Sequence, residues 1–319
     1  MNRRGFLEAF GSGLAASLLP ALHLSASPPV RLSVRGPLRL IERWSWAMGQ
    51  PVHLQLFASS EDQGYAAAEA ALAELRAVED HLTRFSDTSD LSELNRHAGR
   101  SGIRVGCDLA GVLAQSLRFE RLTRGAFNPA VEPLMAAWGF RSARRSPPSA
   151  AELAEARASV LAASILLNGD KASLPSSSTR LDLGGIGVGY GLDRAVGRLR
   201  ALGIERAFLD VSGDCFALGA PPGEAGWQVD IAGSHPGAAP LASTRLRDAA
   251  LATSSNTMSV VRFGRAIRGH VMNPESGWPA DALIQVSVLA RTGIEADALS
   301  TAMLVSGKPF GGVLRFYSA

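Results

Sequence analysis

An aspartate and a threonine near the C-terminus are spaced to act together. Asp297 and Thr301 are four residues apart in the segment 295–305, and residues four apart on a helix share one face, one turn apart. A carboxylate and a hydroxyl on one face suit a hard cation such as Mg²⁺, which prefers oxygen ligands. The structural alternative is that the aspartate offsets a helix dipole and the threonine bonds back to the preceding turn.

A glycine-rich segment in the middle of the chain is the second feature. Asp182 is followed by glycines at 184, 185, 187, 189 and 191, and such a density of glycine lets a ligand approach the main chain closely. The spacing excludes two common phosphate loops. A GxGxxG motif would need glycine at Tyr190 or Leu192, and no Lys-Ser or Lys-Thr follows to complete a Walker A loop. A tight strand-to-helix turn packed against a sheet is the structural alternative.

Two further polar residues lie where strands are predicted to end. His270 precedes a turn that contains Pro274, and a histidine there can titrate near neutrality and act as a base. Asp214 closes the turn 210–214, where its carboxylate either contacts a ligand or caps the turn. A purely structural hydrogen bond is the alternative role for the histidine.

Hydrophobic periodicity predicts the elements that would position these residues. A strand at 51–58 leads into a helix at 65–82, and two more helices are expected at 108–123, with Asp108 as N-cap, and at 149–161. Short strands follow at 164–167, 180–183, 206–211, 227–231, 258–263 and 283–289, interrupted by helices at 187–202 and 295–305. Early helices and late antiparallel strands predict an α+β fold in one compact domain. Two lobes that meet near residues 140–160 are the alternative.

Composition narrows the class of protein. Of 319 residues, 46% are hydrophobic and 19% charged, which is typical of a soluble globular enzyme. The net charge is only +3, and the arginines are scattered among acidic residues, which argues against nucleic acid as a partner. Cys107 and Cys215 are too few for a disulfide framework or a cysteine-rich metal site, although they could pair if the fold brought them together.

The N-terminus has the pattern of an export signal. Arg3 and Arg4 precede a modestly apolar stretch at 13–24 and small residues at 25–27, and a twin arginine before so short a stretch is typical of the twin-arginine route. We therefore expect residues 1–27 to be a signal peptide and the mature protein to lie free in the periplasm, because no cysteine near the cleavage region could carry a lipid anchor. A cytoplasmic N-terminal helix is the alternative.

Seven segments occur together in one order along the chain. They are Met48-Gly49, Phe127-Asn128-Pro129, the run from Asp182 to Tyr190, Asp210 to Asp214, Ala252-Thr253-Ser254, His270 to Pro274, and Glu295 to Thr301. This set resembles the periplasmic FAD:protein FMN transferases, the ApbE or thiamine-biosynthesis lipoprotein family, over residues 44–307.

The resemblance implies a Mg²⁺-dependent enzyme whose domain occupies residues 44–319. It would split FAD at the pyrophosphate, transfer FMN to a threonine hydroxyl of a periplasmic electron-transfer protein and release AMP. Its partners would be FAD and that acceptor protein, without nucleic acid and without a stable membrane anchor. Two alternatives are an FAD pyrophosphate hydrolase, which makes FMN and AMP, and a periplasmic flavin-binding protein that has lost catalysis.

The resemblance also implies roles for individual residues. The Mg²⁺ ligands would be Gly185 through its backbone, Asp297, Ser300 and Thr301. The residues that line FAD would be Met48, Phe85, Ala126, Phe127, Asn128, Asp182, Val188 and Val271. We expect His270 or Asp214 to help deprotonate the attacking threonine.

Two positions and the C-terminal tail depart from the family pattern. Val188 stands where relatives carry a lysine or an acidic residue, so a polar contact to FAD is missing. Asn273 replaces the aspartate that commonly precedes the proline of the histidine turn. The tail at 308–319 is shorter than in relatives, which predicts a missing strand at one sheet edge.

Overall fold

The computed structural model describes residues 37–233 and 239–318, so the predicted signal peptide at 1–27 lies outside the described residues. The helices are α1 Glu61–Leu82, α2 Asp90–Arg96, α3 Cys107–Leu122, α4 Glu132–Ala137, α5 Ala150–Leu161, α6 Gly187–Ala201 and α7 Gly293–Ser306. The strands are β1 Arg39–Ala47, β2 Gln50–Ala58, β3 Ile103–Arg104, β4 Leu166–Asn168, β5 Lys171–Ser173, β6 Ala207–Val211, β7 Asp214–Leu218, β8 Trp227–Ile231, β9 Ala242–Leu246, β10 Ala249–Ser255, β11 Val260–Phe263, β12 Ala266–Gly269, β13 Gln285–Ala290 and β14 Arg315–Ser318.

A seven-stranded antiparallel sheet forms the centre of the molecule. Its strand order is β1-β2-β6-β7-β10-β13-β14, and each neighbouring pair is antiparallel. The residues that the structure describes form one compact unit. The predicted α+β fold in a single domain is therefore confirmed, and the two-lobe alternative is wrong.

The two faces of the sheet are covered by different elements. On one face, alternate residues of β2 such as Val52, Leu54 and Leu56 are fully buried against α1 and α6. Burying a side chain of this size contributes about 1.5–3 kcal/mol. On the other face, Trp227 of the β8–β9 hairpin packs against Phe208, with ring centroids 5.6 Å apart. The helical face is the one that carries the site.

Several predicted elements occur where periodicity placed them. Helix α1 begins earlier than predicted because Ser60 accepts the backbone N–H of Gln63 as its N-cap. Helix α5 begins with a capping box between Ser149 and Glu152. No described helix is both long and apolar enough to cross a membrane.

Two predicted local structures are wrong. The N-cap position of α3 is Gly106, while Asp108 lies buried in the first turn and accepts hydrogen bonds from Tyr190 and Arg194. The segment 180–183 forms no strand, although its leucines are buried as a strand pattern requires. The backbone N–H of Leu181 bonds to the side chain of Asn95 instead of a neighbouring strand.

The structure corrects the expectation for the C-terminal tail and shows the two cysteines unpaired. The sheet edge at β13 is not missing a strand, because β14 pairs with it from Val286↔Ser318 to Leu289↔Arg315. Cys107 is exposed and Cys215 is buried, and both thiols are free. β14 therefore covers this edge of β13, and no disulfide joins the two cysteines.

Candidate functional site

A cleft of about 640 Å³ opens at one end of the central sheet. The tight turns at 48–49 and 212–213 both lie at this end, since β2 pairs with β6 through Val52↔Val211 and β6 pairs with β7 through Val211↔Asp214. The cleft is further lined by the loop after α1, the loop after α3, the start of α6, the end of β10, the segment after β12 and one face of α7. Segments remote in sequence therefore meet here.

Helices α6 and α7 cross at two glycines. A Cβ atom on Gly189 would lie 2.2 Å from the carbonyl oxygen of Gly293, and one on Gly293 would lie 2.4 Å from the carbonyl oxygen of Gly189. Only glycine allows the two backbones to approach so closely. Gly189 and Gly191 therefore serve helix packing, whereas Gly184, Gly185 and Gly187 line the cleft.

The two helices hold each other's carboxylates. The backbone N–H of Gly189 in α6 donates to Oδ2 of Asp297 in α7 at 3.0 Å. In return, Asp193 of α6 accepts the N–H groups of Gly293 at 2.6 Å and Ile294 at 3.0 Å, which are free donors at the start of α7. Burial raises the pKa of Asp193 to about 6, against the lowering effect of these two hydrogen bonds. This exchange fixes the face that α7 turns toward the cleft.

Oxygen atoms cluster on that face of α7. Asp297 and Thr301 both line the cleft, and Thr301 Oγ1 lies 3.1 Å from Ser254 Oγ at the end of β10. The backbone at Gly185 approaches the same hydroxyl, because a Cβ there would lie 2.9 Å from Thr301 Oγ1. Ser300, predicted as a ligand, does not line the cleft. Its buried hydroxyl donates to the carbonyl of Asp297 at 2.9 Å and lies 2.8 Å from Ser254 Oγ, so it holds two residues of the cluster in position without facing the cleft.

Two carboxylates in this cluster are held at an electrostatic cost. Burial raises the pKa of Asp214 well above its ordinary value, and the nearby charge of Asp297 raises it further. Burial likewise raises the pKa of Asp297, although N–H groups of Gly189 and Val188 oppose the shift. A divalent cation between such carboxylates would remove the penalty.

The donor set fits Mg²⁺ better than zinc. Among residues 37–233 and 239–318, no three His, Cys, Asp or Glu side chains are grouped to hold a metal, which zinc sites in proteins commonly require. Carboxylate, hydroxyl and carbonyl oxygens are present, and Mg²⁺ binds proteins through one or two carboxylates while sharing the phosphates of a substrate. The residues therefore fit the predicted ion.

His270, predicted as a base, lies in the cleft wall after β12. Its Nδ1 is buried and has no hydrogen-bond partner in the structure. Burial lowers the pKa of His270, outweighing the raising effects of a hydrogen bond that the ring donates to the backbone of Ser259 and of the charge on Asp182. The ring is therefore neutral at neutral pH with a nitrogen free to accept a proton. Asp214, the other predicted base, lines the same cleft and accepts the N–H of Thr253 at 2.8 Å.

Every residue predicted to line FAD lines this cleft: Met48, Phe85, Ala126, Phe127, Asn128, Asp182, Val188 and Val271. Their positions agree with the expectation, while their contacts with FAD stay predictions. Met48 occupies the left-handed turn between β1 and β2, at φ 57°, and its N–H donates to Glu79 at 2.7 Å. Phe85 is 84% exposed at the rim, which leaves its ring free to contact a ligand.

The cleft also contains a group of ion pairs that the sequence did not predict. Arg141 bonds to both Glu132 and Asp182. Arg84 lies 3.5 Å from Asp182, and its guanidinium stacks 4.0 Å from the centre of the Phe85 ring. Asp182 is thus held by two arginines and by the N–H of Gly184. Nothing in the local sequence signals this group, because its members lie on four separate segments.

Comparison with known proteins agrees with this geometry. Residues 48–313 match the ApbE family. An FAD:protein FMN transferase from Treponema pallidum is 30% identical over 260 residues, which are 76% of this chain and 72% of that protein. The FAD:protein FMN transferase of Haemophilus influenzae is 28% identical over 247 residues, covering 73% of this chain and 70% of that protein.

Solved structures show the same fold. The ApbE protein of Thermotoga maritima has a TM-score of 0.77 and 26% identity, covering 84% of this chain and 87% of that chain. The apo form of the flavinyl transferase ApbE from Pseudomonas stutzeri has a TM-score of 0.73 and 26% identity, covering 84% and 85%. The family match over most of the chain, together with these relatives, shows that the chain belongs to the ApbE family of FAD:protein FMN transferases.

Proposed function

We propose that this protein transfers FMN from FAD to a threonine hydroxyl of a periplasmic acceptor protein, with Mg²⁺ as the metal and AMP as the second product. One observation carries the proposal beyond family membership. An oxygen cluster containing Asp214, Asp297 and Thr301 lies in the wall of a cleft that also receives the start of helix α6. Cation ligands beside a helix N-terminus suit a pyrophosphate, because both neutralise its charge.

The proposed metal ligands are Asp297, Thr301 and the backbone of Gly185, with Asp214 close to them. Bound Mg²⁺ would neutralise charge on the phosphates of FAD and so favour displacement at phosphorus. Ser300 has a positioning role, because its hydroxyl holds Ser254 and the carbonyl of Asp297. The resemblance included Ser300 among the ligands, and the structure favours this indirect role instead.

The chain's own residues supply the proton transfer. The threonine oxygen attacks the phosphorus of the FMN half, the bond from that phosphorus to the bridging oxygen breaks, and AMP leaves with the electron pair. The threonine proton passes to a base, for which we propose Nδ1 of His270, since it is buried, neutral and without a partner. Asp214 is the second candidate base, and burial raises its pKa into a range where a carboxylate accepts protons more readily.

Periplasmic location is part of the proposal and is supported by the sequence alone. Arg3 and Arg4 precede a short apolar stretch, as in signals of the twin-arginine route. Fractionating cells that express the full chain checks this point. Replacing Arg3-Arg4 by Lys-Lys should retain the protein in the cytoplasm, and unchanged export would contradict the proposed route.

A single assay tests the reaction. Purified protein is mixed with FAD, Mg²⁺ and an acceptor protein bearing an exposed threonine, and products are separated by denaturing gel and chromatography. A covalently fluorescent acceptor with AMP identifies a transferase. Free FMN and AMP without labelled acceptor would identify the hydrolase, in which water replaces threonine, and FAD binding without products would identify a flavin carrier.

A further inference from the structure

Six arginines lie on two segments that adjoin residues of the cleft. Three follow α4, at positions 141, 144 and 145, and three belong to the β11–β12 hairpin, at positions 262, 265 and 268. Neither stretch contains an acidic residue: Asp and Glu are missing from 133–151 and from 249–274. The two stretches are more than a hundred residues apart, so only the fold brings them together.

A groove joins these two segments to the cleft. A second cavity of about 360 Å³ is lined by Arg144 from the loop after α4 and by Arg262 and Phe263 from the hairpin. The ring of Phe263 lies 6.3 Å from that of Trp138, which anchors the hairpin beside the loop. Phe140 and Arg141 line both cavities, so the groove is continuous with the proposed FAD site.

The charges in this region are only partly neutralised. Arg141 is paired with Glu132 and Asp182, and Arg144 is paired with Glu152 at 2.9 Å. Arg145, Arg262 and Arg265 are exposed and have no ion pair with an acidic side chain within the described part of the chain. We call these last three residues the basic rim.

We propose that the basic rim binds an acidic segment of the acceptor protein and guides its threonine into the cleft. The inference rests on the proposed function, because a protein acceptor must cover part of the cleft mouth for its hydroxyl to reach the phosphorus. A rim of one charge sign raises the rate of encounter with an oppositely charged partner and selects against partners of like charge. An anionic membrane is the other partner that arginines attract, but a flat bilayer does not enter a concave groove that leads to the cleft.

Binding is measured directly, so that chemistry and docking are separated. Two red-dye-labelled synthetic peptides of equal length carry the same single threonine, flanked by Asp and Glu in one and by Asn and Gln in the other. Fluorescence anisotropy gives their affinity for the protein with FAD and Mg²⁺. At low salt we expect the acidic peptide to bind roughly tenfold more tightly than the neutral one, and the difference to shrink at ~1 M salt, where the Debye length is about 3 Å.

The charge-reversed variant R145E/R262E/R265E should abolish the preference for the acidic peptide. Its matched control, R100E/R121E/R198E, changes the same charge at exposed arginines that lie outside the loop after α4 and the β11–β12 hairpin, and it should keep the preference. The variant R145Q/R262Q/R265Q repeats the test by removing the three charges without reversing them. Thermal unfolding and FAD binding are measured for each variant to show that it is folded.

Three results would overturn the docking proposal. In the first, the wild-type protein binds both peptides equally well. In the second, the control variant loses the preference for the acidic peptide as fully as the charge-reversed variant does. In the third, the basic rim binds phosphatidylglycerol vesicles in a sedimentation assay but binds neither peptide. Failure of the proposed function has a different signature: the acidic peptide binds through the basic rim, but neither peptide nor acceptor protein acquires FMN.

Discussion

The carboxylate of Asp297 accepts a 3.0 Å hydrogen bond from the backbone N–H of Gly189 across the crossing of α6 and α7. The bond is possible because Gly189 and Gly293 let the two backbones meet without side chains between them. A residue proposed to bind the metal is therefore held by α6, the helix whose N-terminus lines the cleft. Disturbing the crossing should affect stability and activity together.

Gly189→Ala should destabilise the protein and lower its activity. The new Cβ would meet the carbonyl of Gly293 at 2.2 Å, and overpacking of this kind costs about 1–3 kcal/mol. Urea unfolding gives the change in free energy. Gly197→Ala is the matched control, because Gly197 lies in the same helix with nothing within 4 Å of its Cβ position. That substitution should stabilise the protein by about 0.5–1 kcal/mol, and equal effects of the two would refute our account of the crossing.

Asp193→Asn should flatten the pH dependence of stability between about pH 4 and 6. In the native protein burial raises the pKa of Asp193 to about 6 from 3.8, so the native state binds more protons than the unfolded chain in that window. Protonation of Asp193 therefore stabilises the native state fully below the unfolded pKa. As the pH rises through 6 this stabilisation is lost, and the free energy of unfolding falls by about 1–3 kcal/mol. The difference between the wild-type and variant curves of unfolding free energy against pH isolates this group. Parallel curves would show that Asp193 is not responsible.

Asp297→Asn should abolish Mg²⁺-dependent activity while stabilising the metal-free protein. Removing one of two buried carboxylates ends their repulsion, and we expect a gain of about 1 kcal/mol at neutral pH, as is common when active-site strain is removed. Melting temperatures with Mg²⁺ and with EDTA measure both effects. The surface variant Asp170→Asn, which loses only an exposed pair with Arg104, is the control. Undiminished activity of Asp297→Asn would show that the metal site lies elsewhere.

His270→Gln should lower the transfer rate by about 10²–10⁴-fold if its imidazole is the base. FAD binding, measured by fluorescence quenching, should be nearly unchanged. In the wild type, burial lowers the pKa of His270, so the rate should reach half of its maximum at a pH below the ordinary histidine pKa of about 6.5. A half-maximal rate above that pH would contradict the environment described. If both His270→Ala and Asp214→Asn kept the full rate, neither residue would be the base.

Much of the fold was predictable because it depends on local patterns. The alternation of Val52, Leu54 and Leu56 predicted β2, and hydrophobic periodicity at 149–161 predicted α5. The strand predicted at 180–183 was wrong because alternate residues can be buried without a neighbouring strand. The backbone there bonds to the side chain of Asn95 instead. The edge strand β14 was not predicted, and its pairing with β13 is seen only in the structure.

By itself, the sequence determined which residues of this protein could do chemistry and the family to which they point. Asp297 and Thr301 share a face because helical geometry places residues four apart together. Only the tertiary structure decided what those residues meet: Ser254 from a distant strand, Gly185 from a turn and Asp214 from a hairpin. It also turned Ser300 away from the cleft and brought Arg84 and Arg141 to Asp182. Such contacts depend on packing between segments far apart in the chain, which leaves no local periodicity to detect.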